Sequence, residues 1–473
     1  MSKRPVARFA CQACGAIWPK WSGRCEACGE WNTIVEEPAE TRSASALPTA
    51  TGPAGRAPGR IGFVGLEGAA EPPPRIGTGI TELDRVLGGG LVPASVVLVG
   101  GDPGIGKSTL MLQAAAAMAS AGRRVMYISG EEAVDQLRLR ARRLGLAAPT
   151  LELAAAINVV DIAQTLEMEQ DIALVVIDSI QTMWLESIAS APGSISQVRS
   201  SAFELIRLAK SQGFGLILVG HVTKEGSLAG PRVLEHMVDA VMYFEGDRGH
   251  QFRILRAAKN RYGATDEIGV FEMTDRGLAE VPNPSALFLA ERRGNIAGSA
   301  VFAGLEGTRP VLLEVQALLS PNSGSSPRRA VVGWDTGRLN MLLAVLETRC
   351  GLKLSGMDVY LNVAGGLRVG EPAADLAVAA ALTSAATGQP TSAGSVYFGE
   401  VGLSGEVRQV AQAEARLKEA QKLGFEHAFL PRRIARGRNK LVAPEGLKLE
   451  EIGHLSDLTA SFSADAAADG SGE

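Results

Sequence analysis

The sequence predicts an α/β fold with a mostly parallel sheet, preceded by a small cysteine-rich element and followed by a separate α+β domain. Three observations predict it. Residues 95–245 alternate short β-branched runs with helical patterns, as parallel strands joined by crossover helices do. A Gly-rich loop stands between the first of these strands and its helix. Four of the five cysteines fall within the first 28 residues.

Cys11-x-x-Cys14 and Cys25-x-x-Cys28 are separated by ten residues. Two turns that each carry a pair of thiolates make a tetrahedral S₄ site for Zn²⁺, and the short gap allows only a small ribbon or knuckle. A redox pair or an iron–sulfur site is the competing reading. Two paired motifs so close, with no βαβ pattern around them, favour zinc. Cys350 stands alone and reads as a core residue. The element covers residues 1–35. Residues 36–74, rich in Ala, Pro, Gly, Ser and Thr and closed by Pro72-Pro73-Pro74, read as a flexible linker.

Order resumes at Arg75. Leu83, Val86 and Leu87 form a short helical stripe stopped by Gly88-Gly89-Gly90. The strand candidates are Val96–Val99, Val125–Ile128, Ala173–Ile177, Leu216–Val219 and Ala240–Phe244. After the first comes Gly101-Asp102-Pro103-Gly104-Ile105-Gly106-Lys107-Ser108, which fills every fixed position of Gly-x-x-x-x-Gly-Lys-Ser/Thr, with Thr109 opening the helix beyond. Strand, glycine loop and helix together aim several backbone N–H groups and a helix dipole at one point, and a polyphosphate fits that arrangement. The chain is therefore expected to bind a nucleoside triphosphate, ATP, through residues 101–109, with Lys107 on the β/γ-phosphates and the Ser108 hydroxyl on Mg²⁺.

Asp178 follows the run Ala173–Ile177 and reads as the carboxylate that holds Mg²⁺ through water, with a helix cap as its alternative. Glu131 and Glu132 follow Val125–Ile128 through Ser129-Gly130. A carboxylate there is placed to deprotonate the attacking water, and the residues alone leave open which of the two does so.

Beyond residue 284 the pattern changes. Ala300–Phe302 and Leu312–Val315 read as strands paired around Gly307, Val359–Val363 as another strand, and Asp375–Thr387 and Glu414–Leu423 as helices. Residues 462–473 read as a disordered tail. The net charge of −4 gives no global signature of nucleic-acid binding, so any such site must be local. No apolar, uncharged stretch of about 18 residues is present, and the basic start lacks the apolar core of a secretion signal, so a cytoplasmic protein without a membrane span is expected.

Taken in order, the four-Cys element, the linker, the P-loop core with Ser129-Gly130-Glu131-Glu132, the run Lys259-Asn260-Arg261-Tyr262-Gly263 and the C-terminal domain closely resemble the bacterial RadA (Sms) family over about residues 8–460. Tyr262 stands where the family motif has Phe. The resemblance implies a RecA-like ATPase core over 75–284, acting as a DNA-dependent ATPase in recombinational repair. It implies a homo-oligomer, a hexameric ring, that binds single-stranded DNA and drives branch migration of branched recombination intermediates alongside the RecA recombinase. It favours Glu131 over Glu132 as the water-activating residue. It puts Lys224 and Arg232 in a DNA-contacting loop after Gly220, and it has Lys259 and Arg261 reach the nucleotide of an adjacent subunit.

Residues 285–461 resemble a Lon-type protease domain. The nucleophile position of that family falls on Ala373, within Glu371-Pro372-Ala373-Ala374-Asp375, and the lysine position on Arg416. Alanine has no attacking atom and arginine is not deprotonated, so the resemblance implies the fold without the catalytic dyad. The domain reads as a scaffold, with the run Arg432, Arg433, Arg436, Arg438, Lys440 as a basic face. The competing function is a KaiC-like ATP-gated scaffold or signalling ATPase without motor activity.

Overall fold

The computed structural model describes residues 8–11, 17–18, 20–26, 29, 31, 34–37, 74–221, 234–246, 251–265, 267–289, 296–322, 324, 326–432 and 443–469. They divide into two units, residues 1–245 with 253–280 and residues 246–252 with 281–473.

The first unit opens with a three-stranded antiparallel sheet of β1 (Arg8–Cys11), β2 (Ile17–Trp18) and β3 (Ile34–Glu37), in the order β2-β1-β3. Its buried cluster is Cys11, Cys25 and Ile34, with Phe9 and Trp18 packed against it. So small a core needs a staple to hold it.

The rest of this unit is built on a nine-stranded sheet. Its strands are β4 (Val96–Gly101), β5 (Arg124–Ser129), β6 (Glu152–Ala155), β7 (Ile172–Asp178), β8 (Gly215–Val219), β9 (Ala240–Glu245), β10 (Phe252–Asn260), β11 (Ile268–Thr274) and β12 (Gly277–Glu280). The order is β12-β11-β10-β9-β4-β8-β7-β5-β6. The six strands from β9 to β6 run parallel. Every residue of β4 and β8 is buried, which explains their unbroken apolar runs.

Helices α1 (Thr81–Leu87), α2 (Lys107–Ser120) and α3 (Val134–Arg143) pack with Val97, Val99 and Val176 on one face. Helices α4 (Val159–Met168) and α5 (Ile195–Gln212) pack with Val96, Leu98 and Ile177 on the other. Alternate residues of one strand thus feed two cores. Gly88 ends α1 at φ 81°, where its N–H bonds the Arg85 carbonyl.

The antiparallel flank is a departure from the sequence reading. The strand candidates of this unit end at Phe244, whereas the sheet continues through β10 to Asn260, so Lys259 and Asn260 lie within a strand. β10 pairs antiparallel with β9, and β11 with β12.

The second unit holds a seven-stranded sheet of β13 (Ser299–Glu306), β14 (Arg309–Pro321), β15 (Arg329–Val332), β16 (Met357–Val363), β17 (Ser395–Tyr397), β20 (His427–Pro431) and β21 (Lys448–Ile452). A two-stranded sheet of β18 (Glu400–Val401) and β19 (Val407–Arg408) stands apart from it. β13 and β14 form the hairpin around Gly307.

Among the described residues five α-helices accompany these sheets: α6 (Pro284–Phe288), α7 (Thr336–Cys350), α8 (Asp375–Thr387), α9 (Ala413–Lys422) and α10 (Leu455–Asp469). The Ala-rich α8 is buried from Asp375 to Ser384. One expectation is corrected here. Cys350 is half-buried at the end of α7 rather than in the core. Helix α10 runs to Asp469, with Leu455, Leu458 and Phe462 buried along its first half. Among the described residues no helix is long and apolar enough to cross a membrane.

Candidate active site

The Gly-rich loop links the end of β4 to the start of α2. Two of its glycines are sterically required. A Cβ on Gly101 would lie 2.5 Å from the Phe244 carbonyl oxygen, and one on Gly106, at φ 115°, would lie 2.9 Å from the Met273 methyl. Asp102, Pro103 and Gly104 are exposed, Ile105 is buried, and Ser108 and Thr109 are half-buried in the first turn of α2. Lys107 is 3% exposed and folds back over the loop. Its Nζ donates to the carbonyls of Gly101 at 2.6 Å and Asp102 at 2.8 Å. Burial lowers its pKa to about 8, against the pull of Asp178, Asp102 and Glu131.

Asp178 ends β7, in register with Ser129 at the end of β5. Tyr127 of β5 donates its hydroxyl to Asp178 Oδ2. Burial, with the Asp178 charge added, pushes the Tyr127 hydroxyl well above its ordinary range, so it stays a donor. The Gly130 N–H bonds the Asp178 carbonyl at 2.8 Å, which ties the Ser129-Gly130 turn to β7.

From this turn the two glutamates part. Glu131 Oε1 accepts from Ser179 Oγ at 2.6 Å and lies 3.0 Å from His221 Nε2. Burial opposes its charge, but the Ser179 and His221 contacts and Lys107 outweigh that and hold its carboxyl below the usual value. Glu132 pairs instead with Arg140 of α3. Lys107, Asp178 and Glu131 therefore meet at the carboxyl ends of β4, β7 and β5, where ligands of such sheets bind. The sequence reading missed Tyr127, Ser179 and His221 as partners in this site. Only His221, a polar residue two positions beyond the buried strand β8, carried a signal.

The structure does not bring Lys259 and Arg261 to this site. They lie beside Asp239, at the start of β9 and of β4, whereas the loop follows the end of β4. Strand β4 alone separates the two by about 17 Å at ~3.3 Å per residue. Lys259 Nζ donates to the carbonyls of Glu235 at 2.6 Å and Val238 at 2.8 Å. Burial, with Arg261 nearby, lowers its pKa. Arg261, its side chain 56% exposed, pairs with Asp239 at 3.1 Å. Asp239 also accepts from Lys210 at 2.6 Å and from the Val96 N–H at 3.0 Å. Asn260 Nδ2 donates to the Val86 and Leu87 carbonyls at the end of α1, and a Cβ on Gly263 would meet Gly88 Cα at 3.1 Å. Asn260 and Gly263 thus dock this segment on α1, which the sequence reading did not foresee.

Lys224 and Arg232 lie outside the described residues, as do Cys14, Cys28 and the basic positions 433–440. Cys11, ending β1, and Cys25 are 1% and 0% exposed, and the Gly29 N–H closes a turn on the Cys25 carbonyl at 2.7 Å. Two buried sulfurs in a core this small suit a thiophilic metal, although among the described residues no three ligating side chains cluster. In the second unit Ala373 and Arg416 are both buried.

Residues 70–227 match a family model described as an AAA domain, residues 9–36 one described as a rubredoxin metal binding domain, and residues 340–434 one described as subunit ChlI of Mg-chelatase. The chain is 56% identical over 475 residues to a protein named DNA repair protein RadA from Brucella abortus, covering 99% of each. It is 48% identical to the protein of that name from Bacillus subtilis, over 95% of this chain and 97% of the other. For the Rickettsia felis protein of that name the identity is 52%, over 88% of this chain and 92% of the other.

Proposed function

The chain belongs to the RadA family of DNA repair proteins, and from that premise we propose that it is a DNA-dependent ATPase of recombinational repair. In this reading it binds single-stranded DNA and promotes branch migration of recombination intermediates as a hexameric ring working with the RecA recombinase. The observation that carries the reading is the convergence of Lys107, Asp178 and Glu131 at the carboxyl ends of β4, β7 and β5, three parallel strands of one sheet.

The chemistry follows from these side chains. Residues 101–109 offer backbone N–H groups and the start of α2 to the triphosphate. Lys107, already held as a cation-ready group over the loop, turns from the Gly101 and Asp102 carbonyls to the β/γ-phosphates. Mg²⁺, when bound, neutralises charge building up on the phosphates, and Ser108 and Asp178 are the residues that would hold it. Glu131, ionised and steered by Ser179 and His221, takes the proton of the attacking water. The pairing of Glu132 with Arg140 supports this choice between the two glutamates.

Lys259 and Arg261 act on the nucleotide of the adjacent subunit, in keeping with their distance from their own loop. Cys11, Cys14, Cys25 and Cys28 hold one Zn²⁺, whose thiolate bonds would staple the ribbon. Lys224 and Arg232 contact DNA. The second unit is a scaffold.

ATP hydrolysis measured with and without single-stranded DNA tests the proposal. Turnover rises with DNA, and DNA affinity falls as salt increases, because neutralised phosphates release counterions. Turnover indifferent to DNA, together with no binding at any salt, would favour the scaffold ATPase instead.

A further inference from the structure

Tyr127 is 0% exposed and sits in the middle of β5, at a position where a parallel strand ordinarily carries an aliphatic residue. Burying a hydroxyl there is costly unless it is hydrogen-bonded. The register explains what it meets. Tyr127 lies opposite Val176, and Ser129 opposite Asp178. Tyr127 and Asp178 are therefore diagonal neighbours on one face of the sheet, a separation that an aromatic side chain spans and an aliphatic one does not. Its hydroxyl ends on Oδ2 of Asp178, which is 6% exposed. A carboxylate with one oxygen committed in this way cannot turn freely about its last torsion, and its other oxygen keeps a fixed direction.

We propose that Tyr127 is a positioning residue for the magnesium–nucleotide complex: it locks Asp178 so that Oδ1 is presented to the metal's water shell in advance of binding. The inference rests on the reading of Asp178 as the Mg²⁺-holding carboxylate.

The test uses the full chain and a fluorescent ATP analogue, titrated with and without Mg²⁺, beside ATP hydrolysis over a range of Mg²⁺ concentrations. Tyr127→Phe keeps the ring and removes the hydrogen bond. Affinity for the metal-free analogue should be unchanged. The Mg²⁺ concentration needed for half-maximal tightening should rise roughly five- to tenfold, the worth of one ordinary intramolecular hydrogen bond. Saturating Mg²⁺ should restore turnover.

Adding Tyr127→Phe to Asp178→Asn should change the Mg²⁺ titration no further, since the two act as one unit. A folded Tyr127→Phe protein with a wild-type Mg²⁺ titration overturns the proposal. So does an equal loss of affinity in both arms, which marks the residue as packing only. If Tyr127→Phe unfolds, Tyr127→Met replaces it, judged by the same two titrations. If Asp178→Asn itself leaves the Mg²⁺ dependence untouched, the underlying reading of Asp178 fails, and that outcome is separate from the others.

Discussion

Arg416 and Glu371 form a bidentate ion pair inside the second unit, with Nη1–Oε1 at 3.0 Å and Nη2–Oε2 at 2.6 Å. Arg416, 1% exposed, also donates to the Ala303 carbonyl at 2.7 Å and lies over the Phe398 ring. Arg416 is the residue that the resemblance to a Lon-type domain sets at the lysine position. A group that is charged at every accessible pH cannot serve as a base, and Ala373 offers no nucleophile.

The pair predicts a structural rather than a catalytic phenotype. Glu371→Ala strands the guanidinium in the interior and should lower stability by about 3–5 kcal/mol, read as an earlier transition of this unit in urea. Ala373→Ser should yield no peptidase activity, because no base stands beside it. Casein cleavage by that variant would show that the site is only one residue short of an enzyme.

Glu131 and Glu132 should separate cleanly on mutation. Glu131→Gln keeps shape and nucleotide binding but loses the proton acceptor, so turnover should fall about 10²- to 10⁴-fold. Lys107→Ala should weaken nucleotide binding itself. His221→Ala leaves the carboxylate in place with one fewer partner and should cost less than Glu131→Gln. Glu132→Gln disturbs the Arg140 pair away from the water and should leave most of the activity. Normal hydrolysis by Glu131→Gln would move the role elsewhere.

Chelation should reach the ribbon and spare the core. Among the described residues the ribbon's buried cluster is Cys11, Cys25 and Ile34, whereas the nine-stranded sheet has a core on each face. Metal analysis should find about one zinc per chain, because four thiolates at this spacing make a single tetrahedral site. Its removal should unfold residues 8–37 while nucleotide binding persists. Cys25→Ser should reproduce the effect without chelator. Protein purified under reducing conditions and free of zinc would refute the site.

What the sequence made legible follows from where each constraint is local. The loop at Gly101–Ser108 is readable because its fixed residues stand together in the chain around one ligand, and the parallel strands are readable because burial on both faces leaves continuous apolar runs. The antiparallel flank was not, since β10 alternates half-buried with buried residues and shows no clear end before Asn260. Tyr127 escaped because its partner lies 51 positions away and one strand over, and nothing in a strand pattern distinguishes a hydroxyl with a purpose from an aromatic that only packs. The same holds for Asp239. Its ties to Lys210, Val96 and Arg261 join segments far apart in the chain, so it reads from the sequence as an ordinary turn residue.

That cluster bears on the last prediction. Within one chain Lys259 and Arg261 stand at the wrong end of β4 for their own nucleotide, so any action on ATP must be across a subunit interface. Both are positioned by the backbone and carboxylate of the segment Glu235–Asp239, and Arg261 keeps more than half of its side chain exposed. Lys259→Ala and Arg261→Ala should therefore fold and bind nucleotide nearly as wild type does, yet lose DNA-stimulated hydrolysis, because cations from a neighbour stabilise charge on the leaving phosphates. Mixing decides between this and a purely structural role. In a ring with head-to-tail contacts, an equal mixture of Lys107→Ala and Arg261→Ala subunits places an intact loop against an intact Arg261 at about a quarter of interfaces. Two proteins inactive alone should then recover up to about that fraction of wild-type turnover. With subunit exchange demonstrated by a fluorescent label, a mixture that stays inactive would mean that Arg261 serves its own chain, as the partner of Asp239, and nothing more.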